Sequence, residues 1–182
     1  MKILVFLGEG FEEVEAVTVV DYLRRMEIIV DMVSITRDNI VRGSHNINVT
    51  TDKLLDELNL ESYDGLVIPG GMPGALNLRD NKEVIDIVKR MYYDNKLVAA
   101  ICAGPIVLAK ANIIEDKNIT SFPGFEKELP GANYKNDSVV VDGNIITSKG
   151  PYFAVDFAIE IVRYLLGDKK AEALKTDILY KK

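Results

Sequence analysis

The sequence has no tryptophan, one cysteine, Cys102, and one histidine, His45. A single cysteine excludes an intrachain disulfide, and one cysteine with one histidine falls short of any His/Cys zinc site of ordinary ligand count. Positive charge is in the minority: 22 Lys and Arg stand against 28 Asp and Glu, leaving a net charge of −6. Such a chain repels polyanions, which excludes nucleic acid as its main partner. Long apolar runs are missing as well. Ile3 to Leu7 is shorter than the apolar region of a signal peptide and ends at Gly8-Glu9-Gly10 without a cleavage-type sequence. Neither a membrane span nor export is expected, and the protein is read as cytoplasmic.

What is present is the composition of an ordinary core-forming chain, 48 % hydrophobic and 27 % charged over 182 residues. A chain of this length buries roughly 70 % of the surface its unfolded state exposes. No repeat, linker or shift in composition divides it, so residues 1–182 are read as one domain. The continuous apolar run Ile3-Leu4-Val5-Phe6-Leu7, closed by glycine, is the pattern of a strand covered on both faces. Glu12 to Met26 follows with apolar residues at near-helical spacing, and Ile28 to Ile35 reads as the second strand. The alternation recurs at Leu66-Val67-Ile68, a helix from about Lys82 to Tyr93, Leu97 to Ile101 and a helix from about Gly104. Asn46 to Thr51 alternates polar and apolar, and Val139 to Thr147 reads as an antiparallel hairpin turning at Asp142-Gly143-Asn144. Pro151 opens a long helix to Leu166 that Gly167 stops, and Asp168 to Tyr180 reads as a further short helix. These units predict an α/β three-layer sandwich of flavodoxin-like class, with a mostly parallel sheet, helices on both faces and a small hairpin.

Ligands of open α/β sheets bind beyond the carboxyl ends of the strands, which directs attention to the residues after Leu7, Ile68 and Ile101. After the first strand, Glu9, Glu12 and Glu13 are explained as carboxylates at a helix start. Glu15 differs, because it lies close to the helical face of Val14 and Val19, where a buried carboxyl is costly unless partnered or protonated. On pattern alone a structural or solvent-facing role for Glu15 still comes before a functional one. Pro69-Gly70-Gly71 allows backbone N–H groups to converge on an anion, although paired glycines also mark any tight turn. Ala99-Ala100-Ile101-Cys102-Ala103-Gly104-Pro105 places a thiol among small residues at a strand-to-helix turn, the layout of a nucleophile elbow. A buried cysteine acting as a small hydrophobe is the alternative; the strand-end position before Gly-Pro favours a reactive thiol whose pKa the helix start lowers. His45, in a loop, reads as a surface group rather than a general base.

Taken together, Glu12-Glu13-Val14-Glu15, Leu66-Val67-Ile68-Pro69-Gly70-Gly71, Gly74-Ala75-Leu76-Asn77-Leu78, Ala100-Ile101-Cys102-Ala103-Gly104-Pro105, Thr147-Ser148-Lys149-Gly150-Pro151 and Phe157-Ala158 resemble the DJ-1/ThiJ/PfpI superfamily and its DJ-1-like branch. The resemblance runs from Lys2 to about Gly167. It implies a reactive Cys102 hydrogen-bonded by a protonated Glu15, with the N–H groups of Gly71 and Ala103 forming an anion pocket and with no metal or cofactor. It further implies a cytosolic homodimer that acts as a glyoxalase or deglycase on small dicarbonyls, or as a peroxide-responsive or chaperone-like stress protein meeting oxidants through the same cysteine. Two departures matter. Protease members carry histidine directly after the nucleophile, where this chain has Ala103, so a peptidase reading loses its base. Phe122 stands where DJ-1-like members often have a second histidine near the thiol, which leaves Glu15 as the one acid/base candidate.

Overall fold

The computed structural model describes residues 1–181. Its strands are β1 (Lys2–Leu7), β2 (Ile29–Ser34), β3 (Ile40–Arg42), β4 (Asn48–Thr50), β5 (Lys53–Leu54), β6 (Gly65–Ile68), β7 (Leu97–Ile101), β8 (Asn118–Ile119), β9 (Asn133–Tyr134), β10 (Val139–Asp142) and β11 (Ile145–Ser148). The helices are α1 (Glu13–Arg25), α2 (Gly74–Asp80), α3 (Lys82–Tyr93), α4 (Pro105–Lys110), α5 (Ala154–Leu166) and α6 (Asp168–Asp177). Among the described residues the main sheet runs β10-β11-β7-β6-β1-β2-β5. Every neighbouring pair is parallel except the β10–β11 hairpin.

The period of two explains why the central strands read as unbroken apolar runs. Along β1, Ile3, Val5 and Leu7 enter the core beneath α1 and α5, whereas Leu4 and Phe6 enter the opposite core beneath α2, α3 and α4. β7 divides the same way, with Leu97, Ala99 and Ile101 on one side and Val98 and Ala100 on the other. Both faces of the sheet are therefore dry, the condition for a parallel sheet. This is the expected flavodoxin-like sandwich.

Local chemistry sets the element ends. The Asn81 side chain caps α3 by accepting from the Glu83 and Val84 N–H groups at 3.0 and 3.2 Å. Gly167, at φ +83°, ends α5 as expected. The structure differs from the sequence reading in several places, the short strands β5, β8 and β9 among them. The segment Asn46 to Thr51 supplies only β4, which pairs with β3, a strand too short to show a period. α2 carries two weak helix formers, Gly74 and Asn77, and owes its place to packing on α4 rather than to propensity. Pro151 begins a single 3₁₀ turn, after which α5 starts at Ala154.

Three strand ends converge where β1, β6 and β7 finish. The Glu12 N–H donates to the Gly70 carbonyl at 3.0 Å and the Gly74 N–H to that of Gly10 at 3.2 Å, which joins the loops after β1 and β6. Gly104 seats the third loop, since a β-carbon there would stand 2.6 Å from the Ile68 carbonyl oxygen and 2.9 Å from that of Ile101. Replacing Gly104 with alanine must push these backbones apart, at a cost of about 2–3 kcal/mol. Thermal unfolding of Gly104→Ala should show a midpoint lowered by roughly 5–10 °C.

Candidate active site

Cys102 immediately follows the last residue of β7 and sits at φ +63°, a left-handed conformation that β-carbon-bearing residues seldom adopt. Such a residue stores roughly 1–2 kcal/mol of strain and persists only where its surroundings fix it. Here its N–H donates to the Ser148 carbonyl at 2.8 Å and its own carbonyl accepts from the Phe122 N–H at 2.9 Å. Two neighbouring segments thus hold the elbow, and the thiol is left half-buried.

Glu15 arrives from α1. The helix buries Glu13, Glu15, Ala16, Val19, Val20 and Leu23, while Val14 and Val17 face outward at 53 % and 46 % exposure. The sequence reading placed Glu15 beside the face of Val14 and Val19; only Val19 lies on the buried side. Glu13, read there as an ordinary helix-start carboxylate, is buried as well. Glu15 is fully buried, its Oε2 accepts from the Gly70 N–H at 2.7 Å, and its Oε1 has no partner among the described residues. How closely the loops press together is visible at Gly70. A β-carbon there would stand 2.7 Å from the Cys102 Cβ and 2.8 Å from Glu15 Oε2.

Burial pushes the Glu15 carboxyl up to about 7, against the opposing pull of the Gly70 N–H and the Cys102 thiol, and the charge of Glu12 adds to the rise. The thiol is pushed up too, first by burial, then by the charge and hydrogen bond of Glu15, while the Ala103 and Gly71 N–H groups pull it down. A thiol lowered by the start of the next helix is therefore not what the structure shows. α4 is only six residues long, and the Gly104 and Ile106 N–H groups at its start are already bonded to the Ile101 and Ala103 carbonyls at 2.8 and 3.2 Å. The pocket resists two negative charges and tolerates one, so the pair holds two protons below a pH of about 7 and one above it. A protonated Glu15 turns from acceptor to donor next to the Cys102 thiol with which it interacts.

The N–H groups of Gly71 and Ala103 face the sulfur and pull its thiol down, and neither donates to a backbone carbonyl among the described residues. Gly71, at φ +85°, would place a β-carbon 2.3 Å from the Glu12 nitrogen, so only glycine can present its N–H here. All four residues expected at the site, Cys102, Glu15, Gly71 and Ala103, are thus brought together. Sequence reasoning missed Gly70, whose N–H holds Glu15, and Ser148, whose carbonyl holds Cys102. The adjacent Gly-Gly pair was the available signal for the first; no motif marked the second.

His45 does not join the pair. Its Nδ1 lies 3.0 Å from Glu13 Oε2 and 3.6 Å from Glu12 Oε1, and its side chain is 68 % exposed. Glu13 also accepts from the His45 N–H at 2.7 Å, and against burial its own backbone N–H, followed by these His45 bonds, holds its carboxyl below the usual range. Glu12, Glu13 and His45 could offer one ligand atom each to a cation. The ion pair already uses the Glu13 oxygens, however, so the cluster accounts for itself as a latch between the His45 loop and α1.

The DJ-1/PfpI family profile matches residues 1–164. The chain is 35 % identical over 184 residues to the Parkinson disease protein 7 homolog of Danio rerio, covering 99 % of this chain and 97 % of that protein. It is also 35 % identical over 170 residues to protein DJ-1 homolog B of Arabidopsis thaliana, covering 93 % of this chain but only 39 % of that longer protein. Among solved structures, oxidized DJ-1 of Toxoplasma gondii superposes with a TM-score of 0.95 at 35 % identity, covering 100 % of this chain and 99 % of the other.

The coupled pair gives a signed expectation. Above a pH of about 7 Glu15 loses its proton while the thiol keeps its own, and the resulting carboxylate suppresses thiolate formation. The rate of Cys102 alkylation by iodoacetamide should then level off in wild type. Glu15→Gln removes the charge, so its rate should keep climbing, matching wild type at about pH 6 and exceeding it about tenfold at about pH 8. Superimposable profiles would show the two groups to be uncoupled.

Proposed function

The chain belongs to the DJ-1/PfpI family, and from that premise we propose that it is a cofactor-independent thiol enzyme converting small dicarbonyls such as methylglyoxal to hydroxy acids. One observation carries the reading: a fully buried Glu15 with an unpartnered oxygen stands beside the strained, half-buried Cys102. Nucleophile and proton carrier are both side chains, so no metal or cofactor is called for.

The Cys102 sulfur adds to the aldehyde carbon, forming a C–S bond. The thiol proton passes by way of Glu15 to the former aldehyde oxygen, giving a hemithioacetal. The Gly71 and Ala103 N–H groups stabilise the charge that builds on that oxygen. Glu15, as carboxylate, then takes the proton from the same carbon, and the electron pair moves to the neighbouring carbonyl as an enediolate. Returning that proton to the second carbon leaves a thioester of a 2-hydroxy acid. Water hydrolyses the thioester, so methylglyoxal and one water become lactate and the thiol is regenerated. A carboxyl titrating at about 7 suits a group that must both give and take a proton in the neutral range.

A second reading has an observation of its own. The Gly71 and Ala103 N–H groups face the sulfur itself, which fits them to hold oxygens added to it. Two equivalents of peroxide would then carry the thiolate through sulfenate to sulfinate, each releasing water or hydroxide. That makes Cys102 a peroxide-responsive sensor or stress-protective switch, and the relative in Toxoplasma gondii is described as oxidized. A peptidase reading gains nothing, because Ala103 offers no base and His45 is engaged with Glu13. A cytoplasmic site of action is part of the proposal; among the described residues no helix is long and apolar enough to cross a membrane.

A homodimer is also part of the proposal. Val14 and Val17, one helical turn apart on the outer face of α1, are joined by the 55 % exposed Ile47, whose N–H lies 3.4 Å from Glu13 at the start of the same helix. This apolar patch suits a second copy of the chain across a two-fold axis.

Two outcomes are expected. Cys102→Ser should lower lactate formation from methylglyoxal at least about 100-fold while leaving the circular dichroism unchanged, because no imidazole stands by to activate a serine. Undiminished turnover would place the chemistry elsewhere. Light scattering should give about twice the 20.3 kDa chain mass, and Val17→Asp, which sets like charges across the axis, should shift that value toward the monomer.

A further inference from the structure

We propose that Phe122, with Met72, forms an apolar rim over the Cys102 thiol and selects small neutral electrophiles that carry an aromatic or branched apolar substituent. As a statement of substrate class this rests on the dicarbonyl reading and narrows it to the phenylglyoxal type over methylglyoxal.

The placement follows from how the elbow is held. The Phe122 N–H binds the Cys102 carbonyl at 2.9 Å, and the Cys102 N–H binds the Ser148 carbonyl at 2.8 Å. Two residues beyond Ser148 is Gly150, where a β-carbon would come 3.2 Å from the Phe122 Cδ2, so the ring lies on the one residue that leaves it room. Both flanks of the cysteine backbone thus lead to the same ring. The Gly71 N–H, which lowers the thiol, is followed directly by Met72. Phe122 and Met72 remain 44 % and 46 % exposed. Isolated exposed hydrophobes are ordinary, but one of these is bonded through its backbone to the Cys102 carbonyl and the other follows the Gly71 N–H that faces the half-buried sulfur.

Charge narrows the class further. Glu15 adjoins the sulfur and Glu12 is near enough to raise the Glu15 carboxyl, so an anionic substituent would be repelled. Lys149, the cation in the neighbouring turn, directs its Nζ to Asn136 Oδ1. What remains for a substituent is the ring face and the thioether of Met72, surfaces suited to apolar and aromatic groups.

The test compares the rates at which Cys102 of the full-length protein reacts with iodoacetamide and with N-benzyliodoacetamide, in wild type, Phe122→Ala and Phe122→Leu. Glutathione gives the ratio for an unshielded thiol, and phenylglyoxal and methylglyoxal turnover are measured on the same preparations. Wild type should favour the benzyl probe over the glutathione ratio by about fivefold, the equivalent of about 1 kcal/mol. Phe122→Ala should return to the glutathione ratio, with Phe122→Leu between. Equal ratios in wild type and Phe122→Ala overturn the rim, even if methylglyoxal is turned over. A benzyl preference that Phe122→Ala abolishes supports the rim even where neither dicarbonyl is consumed, an outcome that defeats only the enzymatic reading.

Discussion

One negative charge, and no more, can be housed where Glu15 meets Cys102. The carboxyl is fully buried and the thiol half-buried, and each is pushed up by the burial it shares with the other. Desolvation of this kind works against the charged form of either group, so the pair behaves as a single titrating unit rather than two. Proton position, and with it nucleophilicity, is decided by fine differences: the Gly70 N–H favours charge on Glu15, whereas the Gly71 and Ala103 N–H groups favour charge on sulfur. The backbone of two loops thereby sets the chemistry of two side chains.

Those loops can crowd together because the strands behind them are buried and parallel. β1, β6 and β7 end at the same level, and glycines at 70, 71 and 104 occupy places where a β-carbon would strike backbone or the site itself. The strain at Cys102 is held by hydrogen bonds from β11 and from the segment carrying Phe122. A strained nucleophile, a dry acid and an array of N–H donors therefore depend on one packing arrangement.

Much of this was legible in the sequence. Unbroken apolar runs such as Ile3 to Leu7 announce strands covered on both sides, and the thiol between small residues before Gly104-Pro105 announces an elbow. The orientation of α1 was not legible, because Val14 and Val17 are as apolar as Val19 and nothing in the pattern says which face the protein keeps for itself. Glu13 and Glu15 look alike in a run of acids; only tertiary packing buries both, giving one to His45 and the other to Cys102. The direction of the thiol's shift was misjudged for a physical reason. A helix start was credited with lowering it, yet that helix has six residues and its first N–H groups are already bonded to carbonyls. α2 and β3 escaped because they are too short or too poor in propensity to show a period, and contacts with their neighbours hold them in place.

Whether Glu15 keeps a proton beside the sulfur can be observed directly by infrared difference spectroscopy of wild type against Glu15→Gln. The carbonyl stretch of a protonated carboxylic acid should be present well above the ordinary carboxyl range and should disappear with a midpoint of about 7. It should persist to higher pH in Cys102 oxidised to sulfinate, where the neighbouring charge is permanent. A Glu15 signal that is already ionised at about pH 5, near the ordinary value for an exposed glutamate, would contradict the coupled titration.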